Sequence, residues 1–598
     1  MPELVPETFA ESTDFRSQLT FTTSTAFAVE GFDASAGRVN VSDRPDLADF
    51  QCNGALAMAK QAKANPREVA TRITNHFAGD ERLEKLEIAG PGFLNFVLAN
   101  AALGARANAI AGDPRLGAPR VAHQRKVIID FGGANVAKPL HVGHLRTAVI
   151  GETLKRLMRF LGDEVIGDAH FGDWGYQMGV LLMGVAWEQP DLVYFKPDYT
   201  GPYPDTSPVT LEDLERIYPE YSVKGKTNES FRDHARKATK ELQHGRPGYL
   251  ALWRHFVAVS RQSLERDYGW LGVEFDWWKG ESDADPFIEP MIDDLKAKGL
   301  LVPDQGAQII HVARPDDKAE INPMLVVSSE GSAMYGTTDL ATVFERRQDF
   351  DPDLVLYCVD ARQSNHFTQV IRAAELAGYA LPGQLEHVPN GTVNGPDGTP
   401  FKTRDGGTLK LHDLIAQAVE KAGERLHEAG LGEGLSPAEF ADTARSVAIA
   451  ALKFAELSNH RMTNYIFDLD RFMNFEGKTG PYLLYQAVRM KSILRKATEQ
   501  GLAAGEIEVT EPAEREVVLL LDAFDNALRE TYLKRAPNLL ADHVYRLAQA
   551  FSKFYAACPV LAGDDARAKA SRLGLVALTL KQLELGLGLM GLTAPEQM

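Results

Sequence analysis

Hydrophobic positions recur along the chain with two different periods. Residues 127–131 form a short, almost continuous apolar run, which predicts a strand buried on both faces of a parallel sheet. Apolar residues then recur every three or four positions over 145–161, and Gly162 marks a helix end. Residues 165–166 resume a strand pattern at once. A strand, a helix and a strand within ~40 residues predict the first crossover of a doubly wound α/β domain.

The same patterning divides the chain into three predicted domains. Residues 1–115 mix short strand-like and helical stretches, which predict an α+β N-terminal domain. Residues 116–435 carry the α/β pattern of a Rossmann-like domain. A segment rich in Tyr, Pro and charged residues interrupts that pattern at about 185–265, and we interpret it as an insertion. Residues 436–598 follow the helical period and predict an all-α bundle.

Length and composition agree with a soluble multidomain protein. The chain has 598 residues, enough for three or four domains, and 44% of them are hydrophobic. We find no N-terminal signal pattern and no apolar run near the ~20 residues that a membrane-spanning helix needs. The three cysteines, Cys52, Cys358 and Cys558, form no CxxC pair, so neither zinc nor a disulfide framework is expected. We therefore expect a cytoplasmic protein without a membrane partner.

The net charge of −18, taken alone, argues against a nucleic-acid partner. Net charge describes the whole surface, however, and a local basic track can still hold a phosphate backbone. The total charge therefore leaves the class of partner open.

The most specific motif, NVAKPLHVGH, covers residues 135–144 between the first predicted strand and helix. A parallel sheet binds ligands there, where the carboxyl end of a strand faces a helix N-terminus. His141 and His144 are three residues apart and share a helix face, and Gly143 lets a ligand approach the backbone. The motif predicts a site for nucleotide phosphates. Metal binding and simple helix capping are the alternatives that the tetrapeptide leaves open.

The tetrapeptide HVGH resembles the HIGH signature of class I aminoacyl-tRNA synthetases. The counterpart of their second signature, KMSKS, is FKTRDGG at residues 401–407, where Thr403 replaces the second lysine. Arginyl-tRNA synthetases often lack that lysine, and a lysine before HIGH, here Lys138, is thought to compensate. Positive charge near the pyrophosphate can come from either wall of the site. The resemblance implies the catalytic residues Lys138, His141, His144 and Lys402. It implies the ATP contacts His141, Val142, Gly143, His144, Phe401, Lys402, Thr403 and Arg404.

The resemblance to arginyl-tRNA synthetases extends over almost the whole chain. The matching segments are FGDWG at 171–175, GES at 280–282, GPY at 480–482 and APE at 594–596. It implies an arginine–tRNA ligase that uses L-arginine, ATP with Mg²⁺, and tRNA(Arg), with arginyl-adenylate as the intermediate. We also expect a monomer.

In that family an acidic residue before HIGH, an Asn, a Tyr/Asp pair and a Gln hold the substrate guanidinium and α-amino group. The matching residues here are Asp130, Asn135, Tyr335, Asp339 and Gln363. Arginine offers five N–H donors in a rigid fork, and a buried carboxylate accepts two of them side by side. Tyr335 and Asp339 are four residues apart, hence on one face if helical. Taken alone, Asp339 could equally cap a helix and Tyr335 could be core.

A predicted basic stripe on one C-terminal helix offers a surface for RNA. Aromatic and cationic side chains suit splayed anticodon-loop bases and their phosphates, whereas a solvated helix face is the ordinary alternative. The proposed tRNA contacts on this helix are Tyr482, Arg489, Lys491 and Arg495. Phe551, Phe554 and Tyr555 are better explained as bundle core.

The N-terminal part resembles the extra domain of arginyl enzymes. Its segment GPGFLNF at residues 90–96 resembles one that meets the tRNA elbow in that family. The resemblance implies D-loop contacts by Phe93 and Asn95, although Phe93 could simply be packed.

Three competing functions make different predictions. A small-molecule nucleotidyltransferase or carboxylate–amine ligase with the same HxGH sheet needs neither a long helical tail nor an extra N-terminal domain. A catalytically silent RNA-binding relative would not need intact His141, His144, Lys138 and Lys402. A dinucleotide oxidoreductase is disfavoured because no GxGxxG follows the first strand.

Overall fold

The computed structural model describes residues 8–10, 12–328, 335–395, 398–399 and 409–598, with Tyr335 described by its backbone alone. The chain forms two compact units. The first comprises residues 1–123, 425–450 and 473–598, and the second comprises residues 124–424 and 451–472. Among the described residues, no helix is both long enough and apolar enough to span a bilayer.

The N-terminal part of the first unit is an antiparallel sheet covered by helices, as its mixed pattern predicts. Its elements are α1 (Phe15–Val29), β1 (Val39–Val41), β2 (Phe50–Cys52), α2 (Gly54–Ala62), α3 (Pro66–Thr74), β3 (Leu83–Ala89), β4 (Phe93–Leu98) and α4 (Asn100–Gly112). The strand order is β1-β2-β4-β3. Alternate residues of β4, Leu94, Phe96 and Leu98, are fully buried, so one face of the sheet forms the core.

The second unit contains a parallel sheet with helices in its crossovers. Its first elements are β5 (Lys126–Phe131), α5 (Val142–Leu161), β6 (Glu164–Asp168), α6 (Tyr176–Glu188), α7 (Leu211–Thr227), α8 (Glu229–Gln243), α9 (Pro247–Trp270), α10 (Glu281–Ala297), β7 (Val302–Asp304), β8 (Ala307–Ile310), β9 (Met324–Val327), α11 (Tyr335–Asp349), β10 (Leu354–Cys358), α12 (Ser364–Ala377), β11 (Leu385–His387) and β12 (Val393–Asn394). The predicted strand–helix–strand unit is therefore confirmed.

The parallel sheet has the order β11-β10-β5-β6, which places β5 between two neighbours. Val127, Ile128 and Ile129 are fully buried because helices cover both faces. In register, Asp130 of β5 lies opposite Tyr357 of β10 and Asp168 of β6. The carboxyl ends of three strands thus bring polar side chains to one edge.

The interruption between β6 and β7 is largely helical. Helices α6 to α9 pack around a second apolar core that includes Leu181, Leu214, Phe231 and Phe256. The prolines of this interruption lie mainly in the segment before α7, where the pattern breaks. The segment that interrupts the α/β pattern therefore forms a separate helical layer with its own core.

The C-terminal elements are helical with two interruptions. They are α13 (Leu411–Glu428), α14 (Pro437–Leu457), β13 (Tyr465–Ile466), α15 (Leu469–Phe472), α16 (Gly480–Glu499), α17 (Pro512–Asp522), α18 (Phe524–Lys534), α19 (Pro537–Ala557) and α20 (Ala566–Leu589). The predicted helical bundle is confirmed, but the helical period did not indicate β13, which pairs with β12. It also did not indicate the irregular stretch over 501–511, which Gly501 and Pro512 bracket.

Within the first unit, the N-terminal helix α4 packs against the C-terminal helices. The Arg106 Nε lies 2.6 Å from an Asp522 carboxylate oxygen. The Asn108 side chain donates to the Ile507 carbonyl and accepts from the Ile507 N–H. These polar contacts join two ends of the sequence into one core.

Candidate active site

Helix α5 begins at the HVGH tetrapeptide, whose two histidines cap its first turn. His141 is the N-cap residue, and its Nδ1 accepts a hydrogen bond from the Gly143 N–H at 3.0 Å. His144 Nδ1 accepts one from the His141 N–H at 3.1 Å. The two ring centroids lie 3.9 Å apart. Capping is therefore part of the structure, and it holds both imidazoles at the helix N-terminus.

Both imidazoles are uncharged near neutral pH. Burial lowers the pKa of His144 to about 3. Burial, and then the charges of Arg362 and Lys138, lowers the pKa of His141. Because each Nδ1 is an acceptor, each neutral ring carries its proton on Nε2. The helix start thus offers two Nε2–H donors, which suit negative charge developing on phosphate oxygens.

Lys138 follows a strained turn. Ala137 has a φ of 61°, in the left-handed region that residues other than glycine rarely adopt. The Ala137 N–H donates to the Ser260 hydroxyl of α9 at 3.0 Å, and Ala137 is buried. The Lys138 Nζ lies 5.1 Å from the ring centroid of Tyr218 on α7. The helical layer between β6 and β7 therefore supports the turn that leads into the histidine motif.

The predicted ATP residues Phe401, Lys402, Thr403 and Arg404 lie outside the described residues. The chain on either side of them is well anchored. Before them, β12 pairs with β13. After them, the Leu409 carbonyl accepts from the Val142 N–H at 3.3 Å, and the Leu411 N–H donates to the Leu140 carbonyl at 2.8 Å. The described chain therefore resumes, from Leu409, beside the first turn of α5.

Asp130, at the end of β5, is held by an arginine of the chain itself. One Nη of Arg346 lies 2.7 Å from Asp130 Oδ2 and 2.6 Å from Asp168 Oδ2. Arg346 is only 1% exposed. Burial raises the pKa of Asp130, and the charge of Arg346 opposes that shift. One Asp130 oxygen therefore already has a guanidinium partner, and a contact between Asp130 and the substrate stays a prediction.

Three further carboxylates belong to the same electrostatic cluster. Asp173 accepts hydrogen bonds from the Ser282 N–H at 2.9 Å and the Ser282 hydroxyl at 2.6 Å. Burial raises the pKa of Asp173 to about 6. Burial also raises the pKa of Glu281 to about 7, and the charges of Asp173 and Asp339 add to that shift. Acidic groups that lie close together in a partly buried site favour a cationic ligand.

The remaining predicted amino-acid contacts occupy the surrounding elements. Asp339 lies on α11, and its carboxylate shares a hydrogen bond with His366 Nε2. The backbone of Asn135 pairs with Gly172 in the loops after β5 and β6. Gln363 is exposed and ends the 3-10 helix Ala361–Gln363 after β10. Tyr335 begins α11, and its side chain lies outside the described residues.

Asp130, Asp168 and His170 bring potential metal ligands within 4.8 Å of one another. The guanidinium of Arg346, however, already lies between the two carboxylates. A divalent ion would have to displace that buried cation. We therefore assign no metal to this cluster.

Three family models together match most of the chain. The catalytic domain of class I (R) tRNA synthetases matches residues 107–469. The arginyl tRNA synthetase N terminal domain matches residues 16–98, and the DALR anticodon binding domain matches residues 483–598. The chain belongs to the arginyl-tRNA synthetase family. The matches also confirm the predicted architecture of a Rossmann-like α/β domain between an N-terminal domain and a helical C-terminal domain.

Relatives named as arginine–tRNA ligases match this chain over almost their full lengths. The arginine–tRNA ligase of Maricaulis maris (strain MCS10) is 56% identical over 582 residues, which cover 97% of this chain and 99% of the relative. That of Hyphomonas neptunium (strain ATCC 15444) is 51% identical, with coverage of 98% and 100%.

Solved structures show the same fold at lower identity. Arginyl-tRNA synthetase from Plasmodium falciparum superposes with a TM-score of 0.81 at 22% identity, covering 98% of this chain and 100% of that one. The Thermus thermophilus enzyme gives 0.78 at 22% identity with the same coverage.

The predicted D-loop contacts differ in accessibility. Asn95 is only 4% exposed, and its Oδ1 accepts from the Gln51 Nε2 at 2.8 Å within the N-terminal sheet. This burial counts against a direct contact between Asn95 and RNA. Phe93 is half-buried at the start of β4, so its contact remains a prediction.

The predicted basic stripe on α16 is not uniform. The Lys491 ammonium lies 3.0 Å from Glu584 and 2.7 Å from Glu596, which counts against its predicted contact with phosphate. Arg489 lies 4.4 Å from the ring centroid of Tyr555, whereas Arg495 is exposed. Tyr482 is half-buried and packs edge-on against Tyr545. As predicted, Phe551 and Phe554 are fully buried core residues, whereas Tyr555 is half-buried.

Sequence reasoning missed four groups near the carboxylate cluster: Asp168, His170, Glu281 and Arg346. Asp168 and His170 follow a predicted strand, just as Asp130 ends the preceding one. In a parallel sheet, neighbouring strands expose their carboxyl ends at one edge, which is the signal that could have found both residues. Glu281 stood within a segment that resembled the family, but no local pattern assigned it a role.

Proposed function

We propose that this chain is an arginine–tRNA ligase of protein synthesis. The L-arginine carboxylate attacks the α-phosphate of ATP, forming arginyl-adenylate and releasing pyrophosphate. A hydroxyl of the 3′-terminal adenosine of tRNA(Arg), the 2′-OH in this class, then takes the arginyl group and releases AMP. ATP enters as its Mg²⁺ complex.

One observation carries this proposal: within the second unit, donors for an anion and carboxylates for a cation lie on the same parallel sheet. His141 and His144 supply uncharged N–H donors at the start of α5, directly after β5. Asp168, Asp173 and Glu281 supply acidic groups around the end of β6. ATP is anionic and the arginine side chain is cationic, so the two substrates suit adjoining parts of this edge.

In the first step, the phosphate side of the site would work by positioning and charge. Lys138 and Lys402 would neutralise the departing pyrophosphate, while His141 and His144 would donate to phosphate oxygens. Gly143 and Val142 leave room for the nucleotide near the backbone. Phe401, Thr403 and Arg404 would complete the ATP contacts. No general base is required, because an ionised carboxylate is already the nucleophile.

On the amino-acid side, Asp339 is our principal candidate for the guanidinium, with Tyr335 on the same helix. Asn135 and Gln363 would hold the α-amino group. Asp130 would contribute to arginine binding while it shares the guanidinium of Arg346 with Asp168. A lysine or ornithine side chain could not satisfy acceptors placed for a planar fork.

RNA binding would use both ends of the chain. Phe93 is the candidate for the tRNA elbow, and Tyr482, Arg489 and Arg495 are candidates for the anticodon stem and loop. We further propose that the enzyme is a cytoplasmic monomer composed of domains at residues 1–115, 116–435 and 436–598, with the insertion at about 185–265.

Charging assays with purified tRNA and each of the twenty amino acids test the proposal. We expect arginine alone to be attached, with ATP consumed and pyrophosphate formed. Pyrophosphate exchange with and without tRNA would then show whether activation needs bound tRNA. Attachment of another amino acid, or exchange without any transfer to tRNA, would contradict the assigned function.

A further inference from the structure

His170 lies in the carboxylate cluster, beside Asp130 and Asp168. Both ring nitrogens are buried, and among the described residues neither makes a hydrogen bond. An unsatisfied buried polar group costs about 1–3 kcal/mol, so proteins rarely keep one without a reason. His170 follows β6 by two residues, at the sheet edge where ligands of such folds bind.

Acidic side chains surround His170 and favour a ligand of positive charge. Asp130 on β5, Asp168 on β6 and Asp339 on α11 all act on the His170 charge, and Arg346 opposes them. Asp173, in the loop after β6, and Glu281, the first residue of α10, also act on the charge of His170. With five carboxylates against one arginine, the cluster repels phosphate and attracts a cation. Of the substrates proposed above, only arginine brings a cationic side chain.

We propose that His170 is a further specificity-determining residue, which accepts an N–H of the substrate guanidinium. The inference rests on the proposed function and adds a contact that the family resemblance did not supply. A neutral imidazole has one acceptor nitrogen and one donor nitrogen. The acceptor would bind a guanidinium N–H, and the donor could then turn to one of the surrounding carboxylates.

The contact links arginine binding to a proton. Burial lowers the pKa of His170, but the charges of Asp130 and Asp168 outweigh burial and raise it above the usual value. The free pocket therefore favours the protonated ring more than water does. A bound guanidinium repels that proton, so arginine binding should release it. Arginine would bind more tightly as the pH rises through the His170 pKa.

Three substitutions separate this contact from a structural role. His170→Phe keeps an aromatic ring but removes both nitrogens. His170→Asn keeps a polar group near the place of Nδ1, and His170→Gln keeps one near Nε2. His234→Asn, at an exposed histidine on α8, is the matched control. Thermal unfolding and the KM for ATP establish that each variant is folded and that its nucleotide site is intact.

Charging kinetics should show a roughly 10- to 150-fold higher KM for arginine in His170→Phe, the usual effect of losing a hydrogen bond to a charged group. The KM for ATP should stay within about twofold. We expect one of the two amides to recover part of the loss, which identifies the contacting nitrogen. The inhibition constant of n-butylguanidine, which lacks the amino-acid head, should rise in parallel.

The pH profile supplies a second measurement. In the wild-type enzyme, log KM for arginine should fall as pH rises, because His170 loses its proton while Glu281 and Asp173 gain charge. In His170→Gln the slope of log KM against pH should become shallower by up to one, which corresponds to the loss of one titrating proton. This readout distinguishes a titrating contact from a packing residue, which would leave the slope unchanged.

The outcomes are distinct. If the wild-type enzyme does not charge arginine, the proposed function fails. If it does, and a folded His170→Phe keeps the KM for arginine, only the role of His170 is overturned. An altered arginine KM with an unchanged n-butylguanidine constant would overturn the guanidinium contact, since His170 would then act on the amino-acid head. If His170→Phe does not fold, the Asn and Gln variants carry the same test.

Discussion

The carboxylate cluster of the second unit and the basic helix α16 of the first both assemble charged side chains, but they treat charge in opposite ways. In the cluster, burial raises the pKa of Asp173 and of Glu281, and the charge of Asp173 adds to the shift of Glu281. On α16, Lys491 is neutralised by Glu584 and Glu596 of its own chain. The cluster therefore keeps an excess of acidic groups that a cationic ligand could balance, whereas the charge of Lys491 is balanced by the chain itself.

This difference separates the charges that can select a substrate from those that stabilise the fold. A buried group without a full complement of partners gains most from a ligand. A charge that is already paired gains little from another partner and loses stability when that partner is removed. The sequence alone does not distinguish these two kinds of charged residue.

The largest effect should come from Asp339→Asn, which removes the charge proposed to bind the guanidinium. We expect kcat/KM for arginine to fall about 30- to 4,000-fold, since breaking one buried charge pair costs about 2–5 kcal/mol. Charging kinetics measure the change, and Asp293→Asn on the exposed face of α10 is the control. A variant that still selects arginine with wild-type efficiency would show that Asp339 lies outside the pocket.

Next in size is Lys138→Ala at the phosphate side. Losing one positive group near the departing pyrophosphate should lower the rate of adenylate formation about 100- to 1,000-fold, with a smaller change in the KM for ATP. Rapid-quench measurement of adenylate, in the presence of tRNA, separates the two quantities. Lys237→Ala, on the exposed surface of α8, should behave as wild type. Unchanged turnover in Lys138→Ala would remove this lysine from the mechanism.

A smaller effect concerns pH. Because burial raises the pKa of Glu281 to about 7, this carboxyl group becomes neutral as pH falls below 7 and loses its attraction for a cation. The KM for arginine should therefore rise by up to about tenfold per pH unit on the acid side, and this limb should weaken in Glu281→Gln. The KM for ATP is the internal reference. A flat arginine profile in the wild-type enzyme would place Glu281 outside the pocket.

The smallest effects should distinguish two cations on α16. Arg495→Ala should weaken tRNA binding a few-fold and reduce the salt slope by about one charge, since Arg495 is exposed. Lys491→Ala should leave tRNA affinity unchanged and lower the free energy of unfolding by about 0.5–1 kcal/mol. Binding titrations over a range of salt, with thermal unfolding in parallel, compare them. The reverse pattern would mean that Glu584 and Glu596 release Lys491 to RNA.

Strand β5 and helix α5 were predictable because each has a strong local period. The apolar run at 127–131 forms a strand that extends through Lys126–Phe131, and the helix ends at Leu161, before Gly162. Local periods fail where pairing is distant. The short strand at Tyr465–Ile466 forms because β12, some 70 residues earlier, provides its partner.

The candidate site follows the same rule. His141 and His144 lie where the strand–helix junction placed them, since their geometry depends on one turn. Arg346 could not be assigned, because the sheet register aligns Asp130 with Asp168 and only the packing of helix α11 brings Arg346 against both. The neutralisation of Lys491 depends on Glu584 and Glu596 in the same way. Charge patterns along a helix therefore identify candidates, and tertiary pairing decides which remain available.

The contact of Arg346 with Asp130 and Asp168 joins positions 216 and 178 residues apart in sequence. During synthesis, both carboxylates leave the ribosome long before the side chain that balances them. Until α11 docks, the ends of β5 and β6 bear two acidic groups at close range, which disfavours their burial. We therefore expect closure of this long loop to come late in folding, and the pocket beside it to form only after the loop has closed.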